Sequence, residues 1–230
     1  MRRVVALELM DQPGVDAREF RANFDDIEFA NRNFGGTAPV TSTLLTNLSG
    51  GAVEARRVFR VLDVGCGSAD IARDIVRSPA LHCEVVALDR NREILAIARE
   101  RTPSQLPISF VHADGGALPF EDASFDVAMC NLALHHFEPP AAVEMLRELA
   151  RVSRVTPLVC DLVRSPLAFA GAWLFARILA KNRLTKHDGP LSVRRAYTPS
   201  EAVALAREAG WRAPHARRAP FFRMVLTDGG

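Results

Sequence analysis

Residues 61–70 read Val61-Leu62-Asp63-Val64-Gly65-Cys66-Gly67-Ser68-Ala69-Asp70, an apolar run that leads into two closely spaced glycines. The run predicts a buried strand, and the segment after it predicts a helix. Gly65 and Gly67 fall in the turn between them, where the missing side chain lets a ligand approach the backbone. A Gly-x-Gly pair is a weak signal alone, but its position between a strand and a helix predicts a ligand-binding turn.

The acidic residues of this turn indicate the charge of the ligand. A dinucleotide-binding turn carries a third glycine three residues after the second, and here Asp70 holds that position. Carboxylates at Asp63 and Asp70 would repel a pyrophosphate and attract a ligand with ammonium and sulfonium charges. The turn therefore favours a cationic ligand over NAD.

Short β-branched runs alternate with helical segments from Phe59 onward, which predicts an α/β fold with a parallel sheet. Strands are predicted at 58–64, 83–89, 108–112, 125–131 and 158–163, followed by two final strands at 211–217 and 221–226. Helices are predicted at 16–34, 69–78, 91–101, 139–151 and 200–209. Because open parallel sheets bind ligands at the carboxyl ends of their strands, we expect the chemistry in the strand-to-helix turns.

Two further acids follow predicted strands. Asp89 ends the second strand, 22 residues after Gly67, close to the separation of about 20 residues at which an acidic side chain reaches a ribose diol. Asp89 could instead cap the next helix, but Asn91 suits that position too, and we favour the ribose role. Asp114 follows the third strand and is predicted to accept from an adenine amino group above an apolar patch at 118–120. A plain Asp-Gly turn explains the same residues.

Two adjacent histidines lie beyond the fourth strand, which ends at Asn131. His135 and His136 are expected near the reactive centre. An imidazole with its ordinary pKa near 6.5 suits a general base toward an acceptor hydroxyl. Each histidine could equally cap the next helix or be satisfied in the core.

Taken together, the segments 61–70, 86–89, 113–120 and 126–137 resemble the ordered motifs of class I S-adenosylmethionine-dependent methyltransferases. The resemblance is to the broad group that includes ubiquinone- and menaquinone-pathway and natural-product enzymes, and it covers roughly residues 58–162. It implies a Rossmann-like, doubly wound, mostly parallel seven-stranded sheet with an antiparallel C-terminal strand pair and helical lid segments. It also implies S-adenosylmethionine as cofactor, with S-adenosylhomocysteine as its product.

The resemblance also implies roles for individual residues. Asp63, Gly65 and Gly67 would contact the methionine end of the cofactor, and Asp89 would contact the ribose. Asp114 and Gly115 would contact the adenine, and Asn131 would close the cleft. Ser68 departs from the pattern because many members have another glycine there, and Arg90 beside the ribose acid departs too. The full predicted cofactor-binding set is Asp63, Gly65, Cys66, Gly67, Asp89, Arg90, Asp114, Gly115 and Asn131.

A long insertion, residues 164–199, separates the fifth strand from the next clear helix and carries the apolar segment 169–175. In such folds a segment there can roof the acceptor site. An apolar segment over this site favours a small, apolar or aromatic acceptor. The first expectation is O-methylation of a phenolic, quinol or polyketide-type hydroxyl, and C-methylation is left open. His187 is a second candidate base, and Asp188 could orient it.

We expect one domain with four parts: an N-terminal helical lid at 1–57, a cofactor-binding core at 58–163, the lid insertion at 164–199, and a C-terminal helix and strands at 200–230. The most apolar stretch, 166–176, falls short of the ~20 residues needed to span a bilayer. Contact of this stretch with a membrane surface or a lipid-like substrate stays open.

Metal-independent transfer is predicted, because no cluster of acids and histidines is evident in the sequence; a metal-assisted alternative would use Glu138 and His136. The four cysteines are too sparse for a disulfide scaffold and lack zinc-ligand spacing, so a reducing, cytoplasmic location is expected. A formal net charge of +2 with scattered arginines is too mild to favour a nucleic-acid partner, and RNA binding stays the minor alternative. The competing hypotheses are an NAD-dependent oxidoreductase in the same fold and a non-catalytic cofactor-binding protein.

Overall fold

The computed structural model describes residues 1–48 and 57–229, so residues 49–56 of the predicted N-terminal lid and Gly230 lie outside the described residues. Seven strands form one sheet in the order β3-β2-β1-β4-β5-β7-β6. Their bounds are β1 Phe59–Val64, β2 Cys83–Asp89, β3 Ile108–His112, β4 Phe125–Asn131, β5 Ser153–Leu162, β6 Pro214–Ala219 and β7 Arg223–Asp228. The helices are α1 Ala17–Asn33, α2 Ala38–Leu48, α3 Asp70–Arg77, α4 Arg92–Arg101, α5 Pro139–Val152, α6 Pro166–Ile178, α7 Arg183–Arg195 and α8 Pro199–Glu208.

Strands β1 to β5 pair in parallel, whereas β7 runs antiparallel to both β5 and β6. The predicted doubly wound, mostly parallel sheet with an antiparallel C-terminal pair is therefore confirmed. The order of the strands reverses at β1, because β2 and β3 lie on one side of it and β4 on the other. The carboxyl end of β1, where the glycine turn begins, is thus the point at which such sheets bind ligands.

The sheet separates two hydrophobic cores. Consecutive residues of a strand point to opposite faces, and accordingly Val61 and Leu62, both fully buried, belong to different core clusters. A third cluster lies at the edge of the ligand-binding end, where Phe20 and Phe24 of α1 pack against Ile94 and Ile97 of α4. Packing of α1 on α4 therefore holds the N-terminal helix beside the strand ends.

The sequence misplaced several boundaries. The fifth strand begins at Ser153 rather than at 158. The prediction missed its first half because that half is mostly polar and contains Pro157. The final strands start later than predicted, since Trp211 packs into the core and donates to the Leu146 carbonyl at 2.9 Å. Helix α2 was not predicted. The insertion at 164–199 contains α6 and α7.

The N-terminal segment and α7 are joined above the sheet. The backbone N–H groups of Leu9 and Met10 donate to the two carboxylate oxygens of Asp188 at 2.8 and 3.1 Å. Over the described part of the chain, the helices are too short or too polar to cross a lipid bilayer.

Candidate active site

A cavity of about 990 Å³ lies at the carboxyl ends of the central strands, between the sheet and helices α1, α6 and α7. The entire predicted cofactor-binding set lines it: Asp63, Gly65, Cys66, Gly67, Asp89, Arg90, Asp114, Gly115 and Asn131. His135 and His136 also line it, whereas His187 does not. The fold therefore brings residues that lie at or after the carboxyl ends of four strands, β1 to β4, to one site.

The glycine turn has the conformation that its sequence predicts. Gly65 and Gly67 have φ values of 73° and 54°, in the left-handed region that side-chain-bearing residues rarely adopt. A Cβ atom added at Gly65 would lie 2.9 Å from the Cβ of Ala133, and one at Gly67 would lie 3.2 Å from Cε1 of Phe24. Both glycines are thus required by the backbone and by the closeness of the cavity walls.

Three carboxylates crowd around this turn. Burial, together with the negative charges of the nearby Asp70 and Asp89, raises the pKa of Asp63 to about 8. Oδ1 of Asp63 has no hydrogen-bond partner within the described ranges. Burial also raises the pKa of Asp70 and of Asp89. Because buried carboxylates need positive partners, the cluster is complementary to a cationic ligand.

Asp89 is positioned by backbone donors rather than by a helix cap. Its oxygens accept from the N–H groups of Asn91 at 2.9 Å and Gly67 at 3.2 Å. Asn91 caps α4 by accepting from Glu93 and Ile94. The cap that Asp89 might have formed is therefore supplied by Asn91, and Asp89 retains lone pairs toward the cavity.

The expected adenine platform is wrong in part. Asp114 and Gly115 line the cavity, and Asp114 accepts from the Gly116 N–H at 2.8 Å, as in an Asp-Gly turn. Leu118 is instead buried in the core, and Phe120 packs edge-on against Phe125 at a centroid distance of 4.9 Å. The patch at 118–120 does not line the cavity, because Leu118 and Phe120 pack into the hydrophobic core that includes residues of α5.

A second polar cluster forms the wall beyond β4. Nδ1 of His136 lies 2.7 Å from Oδ2 of Asp11, and Nδ1 of His135 lies 2.7 Å from Oδ1 of Asp161. The Nε2 atoms of both rings face the Glu8 carboxylate at 3.7 Å. Each imidazole is therefore oriented by a carboxylate at Nδ1 and presents Nε2 to the same side.

The two histidines differ in surroundings. His135 is buried, and Asp161 also accepts from its backbone N–H at 2.9 Å. Burial alone would lower the pKa of His136, but the hydrogen bond to Asp11 and the charge of Glu8 outweigh it, so the pKa of His136 is raised. Burial alone would raise the pKa of Asp11, but the hydrogen bond with His136 and the positive charges of His136, Arg195 and Arg90 together lower it. His136 and Asp11 thus favour an ion pair.

His187 lies apart from this cluster. Its side chain is half exposed and pairs with Asp188 at 2.7 Å, which is the pairing that the sequence predicts. Asp188, however, is also the acceptor for Leu9 and Met10. The pair serves the junction between α7 and the N-terminal segment, and the structure does not bring His187 to the cavity.

Glu138 and His136 do not form the alternative metal pair considered from sequence, because Glu138 binds Arg3 at 2.9 Å. The ligand atoms of Glu8, His135 and His136 instead lie within 4.8 Å of one another, a spacing that could hold a metal ion. The expectation that the chain has no cluster of acids and histidines is thus wrong for this wall. Arg195 already places Nη1 3.8 Å from Glu8 and 3.7 Å from Asp11.

Sequence reasoning missed Glu8, Asp11 and Arg195 as parts of the site. They come from an N-terminal segment and from α7, far along the chain from β4, and no motif joins them. The signal that could have drawn attention to Glu8 is its place inside an otherwise apolar run at 4–10, since a buried carboxylate requires partners.

Part of the chain matches a known protein family. Residues 61–155 match the family described as "Methyltransferase domain". The match covers β1 to the start of β5, and so it includes the glycine turn and both histidines.

Curated relatives are also similar to part of the chain. The demethylmenaquinone methyltransferase of Staphylococcus haemolyticus is 36% identical over 93 residues, which cover 40% of this chain and 38% of that protein. The Staphylococcus aureus (strain MRSA252) enzyme of the same name is 31% identical over 110 residues, covering 48% of this chain and 45% of that protein. The chain thus matches less than half the length of these curated relatives.

Solved structures share the fold over nearly the whole chain. A SAM-dependent methyltransferase from Aquifex aeolicus has a TM-score of 0.64 at 16% identity, covering 93% of this chain and 97% of that one. The plantazolicin methyltransferase BpumL, solved in complex with SAH, has a TM-score of 0.69 at 14% identity, covering 95% and 91%. The predicted resemblance to class I methyltransferases is confirmed, and S-adenosylmethionine is confirmed as the cofactor of that family.

Proposed function

We propose that this protein transfers a methyl group from S-adenosylmethionine to a hydroxyl oxygen of a small, largely apolar or aromatic molecule. The observation that carries the proposal is the buried Asp63 carboxyl group beside the glycine turn, whose Oδ1 has no partner among the described residues, with Asp70 and Asp89 close by. An ammonium and a sulfonium group would supply the positive charge that this cluster requires. A pyrophosphate would add negative charge there, which is why an NAD-dependent reaction is disfavoured.

The residues that we propose to hold the cofactor line one continuous cavity. Asp63, Gly65, Cys66 and Gly67 would hold the methionine part, Asp89 and Arg90 the ribose, and Asp114 with Gly115 the adenine, while Asn131 would close the cleft. Oδ1 of Asn131, which has no partner within the described ranges, is an acceptor available to a donor in the cavity. When bound, the cofactor supplies a methyl group whose bond to sulfur breaks as the bond to oxygen forms, the electron pair staying on sulfur.

His136 is the residue that we assign to the proton of the acceptor hydroxyl. Its Nδ1 is held by Asp11, so in the neutral ring Nε2 carries the free lone pair, and both His136 and the nearby Glu8 line the cavity. The hydroxyl proton would pass to Nε2, and the resulting imidazolium would be stabilised by Asp11 and Glu8. His135, fixed by Asp161, would align the acceptor rather than move a proton. His187 is the weaker candidate, because it does not line the cavity.

The apolar parts of the cavity support an apolar acceptor. Phe34, Leu174, Phe175 and Ile178 line the side under α6, and Phe175 packs edge-on against Phe34 at 5.8 Å. We infer that α1 and the insertion at 164–199 act as lids that exclude water from the reacting atoms, which favours alignment of nucleophile and methyl group. The two Staphylococcus relatives are named for a quinone-related substrate, which is consistent with an aromatic acceptor for this chain.

We propose that transfer needs no metal ion. Arg195 brings a full positive charge within 4 Å of both Glu8 and Asp11, which is the charge that an ion at this cluster would contribute. Activity should therefore be unchanged by treatment with EDTA, and later addition of Mg²⁺ or Zn²⁺ should not increase it. Loss of activity on chelation with recovery on one added metal would contradict this assignment.

The proposed function is tested by turnover. The protein would be incubated with methyl-labelled S-adenosylmethionine and a panel of alkylphenols and hydroquinols, and label would be measured in the organic extract. We expect label in at least one phenol, and we expect His136→Ala to reduce transfer by about 100-fold or more while SAH affinity stays unchanged. Tight binding of NADH in place of SAH would overturn the proposal, and SAH binding with no transfer to the panel would favour a non-catalytic binder.

A further inference from the structure

One cavity-lining cation has no function in the site as described so far. Arg223 begins β7 and lines the cavity, yet its side chain is only about 5% exposed. Nη2 donates to Oδ1 of Asn31 at 3.0 Å. Nε and Nη1 have no partner within the described ranges. These two nitrogens together carry three of the five N–H donors of a guanidinium.

A buried guanidinium with most of its donors unused is costly. Burial lowers the pKa of Arg223, and the carboxylates of Asp161 and Asp70 oppose this only partly. Asp161 is already engaged by His135, and Asp70 by Asn31 at 2.8 Å. Neither carboxylate hydrogen-bonds to Arg223, so its charge and three of its donors remain without a partner among the described residues.

The strand that carries Arg223 lies away from the glycine turn, on an apolar side of the cavity. Arg223 pairs in register with Leu162 at the carboxyl end of β5. β4 and β5 separate β7 from β1, whose carboxyl end leads into the glycine turn. At ~4.8 Å per strand, the two strand ends lie roughly 14 Å apart. Phe221, Phe222 and Phe34 line the cavity around Arg223, so a ligand reaching it passes apolar walls.

Asn31 fixes the guanidinium at this place. Its Nδ2 donates to Asp70 and its Oδ1 accepts from Arg223, which leaves both polar ends of the amide engaged. Asn31 is buried on α1, so the N-terminal helix holds Arg223 in place. The other arginine that lines the cavity, Arg90, is mostly exposed and lies 3.9 Å from Asp11.

We propose that Arg223 binds a carboxylate on the methyl acceptor, so that the protein prefers an apolar or aromatic hydroxy acid to a neutral phenol. The proposal rests on the proposed function for the reaction itself. Arg223 is then a specificity-determining residue: it holds the carboxylate while the hydroxyl lies toward His136. A carboxylate supplies both the negative charge and the lone pairs that the guanidinium lacks.

The test uses two probes that differ only in this group, 2-hydroxy-6-nonylbenzoate and 3-nonylphenol. Their dissociation constants would be measured by calorimetry on the protein saturated with SAH. We expect the benzoate to bind at least about tenfold more tightly than the phenol, as a charge-assisted hydrogen bond predicts. Arg223→Met should abolish this preference, Arg223→Lys should keep part of it, and Arg218→Met, an exposed site on β6, should leave it unchanged.

Two further measurements separate the alternatives. Denaturant unfolding of the ligand-free protein should show Arg223→Met to be as stable as the wild type or more stable, because an unsatisfied buried charge is removed; a large loss would indicate a structural role. SAH affinity should be unchanged in Arg223→Met, and a loss would assign the guanidinium to the carboxylate of the cofactor. Equal binding of both probes by the wild type would overturn the proposal. Because none of these readouts requires turnover, they stand even if methyl transfer fails.

Discussion

Asp63 illustrates how a single buried side chain constrains the ligand. A carboxylate whose pKa is raised to about 8 is poorly stabilised by the protein around it. A cation bound beside it would restore the ionised form, since an opposite charge lowers the pKa of a carboxyl group. The residue is therefore incompletely satisfied without its ligand, and this links its burial directly to binding.

Asp89→Ala should weaken SAH binding by roughly 1 to 3 kcal/mol, the usual cost of losing charge-assisted hydrogen bonds. The physical reason is that Asp89 is held by Asn91 and Gly67 with lone pairs left for the ribose hydroxyls. Calorimetric titration with SAH measures the change. Glu84→Ala, an exposed carboxylate on the same strand, is the matched control. Unchanged affinity in Asp89→Ala would remove this residue from the site.

Activity should rise with pH through the raised pKa of His136, because only the neutral ring accepts a proton. Asp11→Asn removes a negative charge from the imidazolium, so the pKa should fall and the rising limb of kcat/KM should move to lower pH by about one unit. The pH profile of both proteins gives the shift. Asp25→Asn, an exposed acid on α1, should leave the profile in place. An identical profile in Asp11→Asn would contradict the role of the pair.

At the scale of elements, α6 and α7 differ in how they are attached. α6 presents exposed Leu167, Trp173, Leu174 and Ile178, whereas α7 buries Leu184 and Val193. Asp26 of α1 accepts from the N–H groups of Lys181 and Asn182 at 2.9 and 2.8 Å. The insertion is therefore anchored by α7 and by the N-terminal helix, and α6 is the less firmly held part.

Leu184→Ala should lower the free energy of unfolding by about 2 to 5 kcal/mol, because it leaves a cavity at a fully buried site. Leu167→Ala, 72% exposed on the neighbouring helix, should change it by less than about 0.5 kcal/mol. Urea unfolding followed by tryptophan fluorescence compares the two. Equally small effects would mean that the insertion does not fold as one unit with the sheet.

At the scale of the molecule, ligand binding and folding are linked through the cavity. Residues from the N-terminal segment, β1, β2, β4, α7 and β7 all line it, so a ligand that fills it holds distant parts of the chain together. The effect should appear as stabilisation against heat.

SAH at 100 times its dissociation constant should stabilise the fold by about 2.7 kcal/mol, which corresponds to a rise in Tm of roughly 5 to 10 °C for a chain of this size. Differential scanning calorimetry measures the rise. NADH at the same concentration should produce no comparable shift, because its pyrophosphate would meet Asp63 and Asp70. A rise with NADH and none with SAH would exclude the cationic-ligand site.

The sequence alone determined the parallel sheet, the glycine turn and the acids at the strand ends. These depend on patterns local in the chain: apolar period, glycines in a turn, and a carboxylate directly after a strand. The same locality explains the errors, since Pro157 disguised the start of β5 and Trp211 was an apolar residue that packs in the core rather than in a strand.

Only the tertiary structure decided which side chains share the cavity. It placed Glu8 and Asp11 beside His136, kept His187 outside the cavity, and brought Arg223 to the cavity wall beside Asn31. Glu8 and Arg223 are more than 200 positions apart in the chain. The charges of such distant residues interact strongly only because the sheet and its covering helices exclude water between them. Local patterns fix elements, whereas the chemistry between elements depends on how those elements pack.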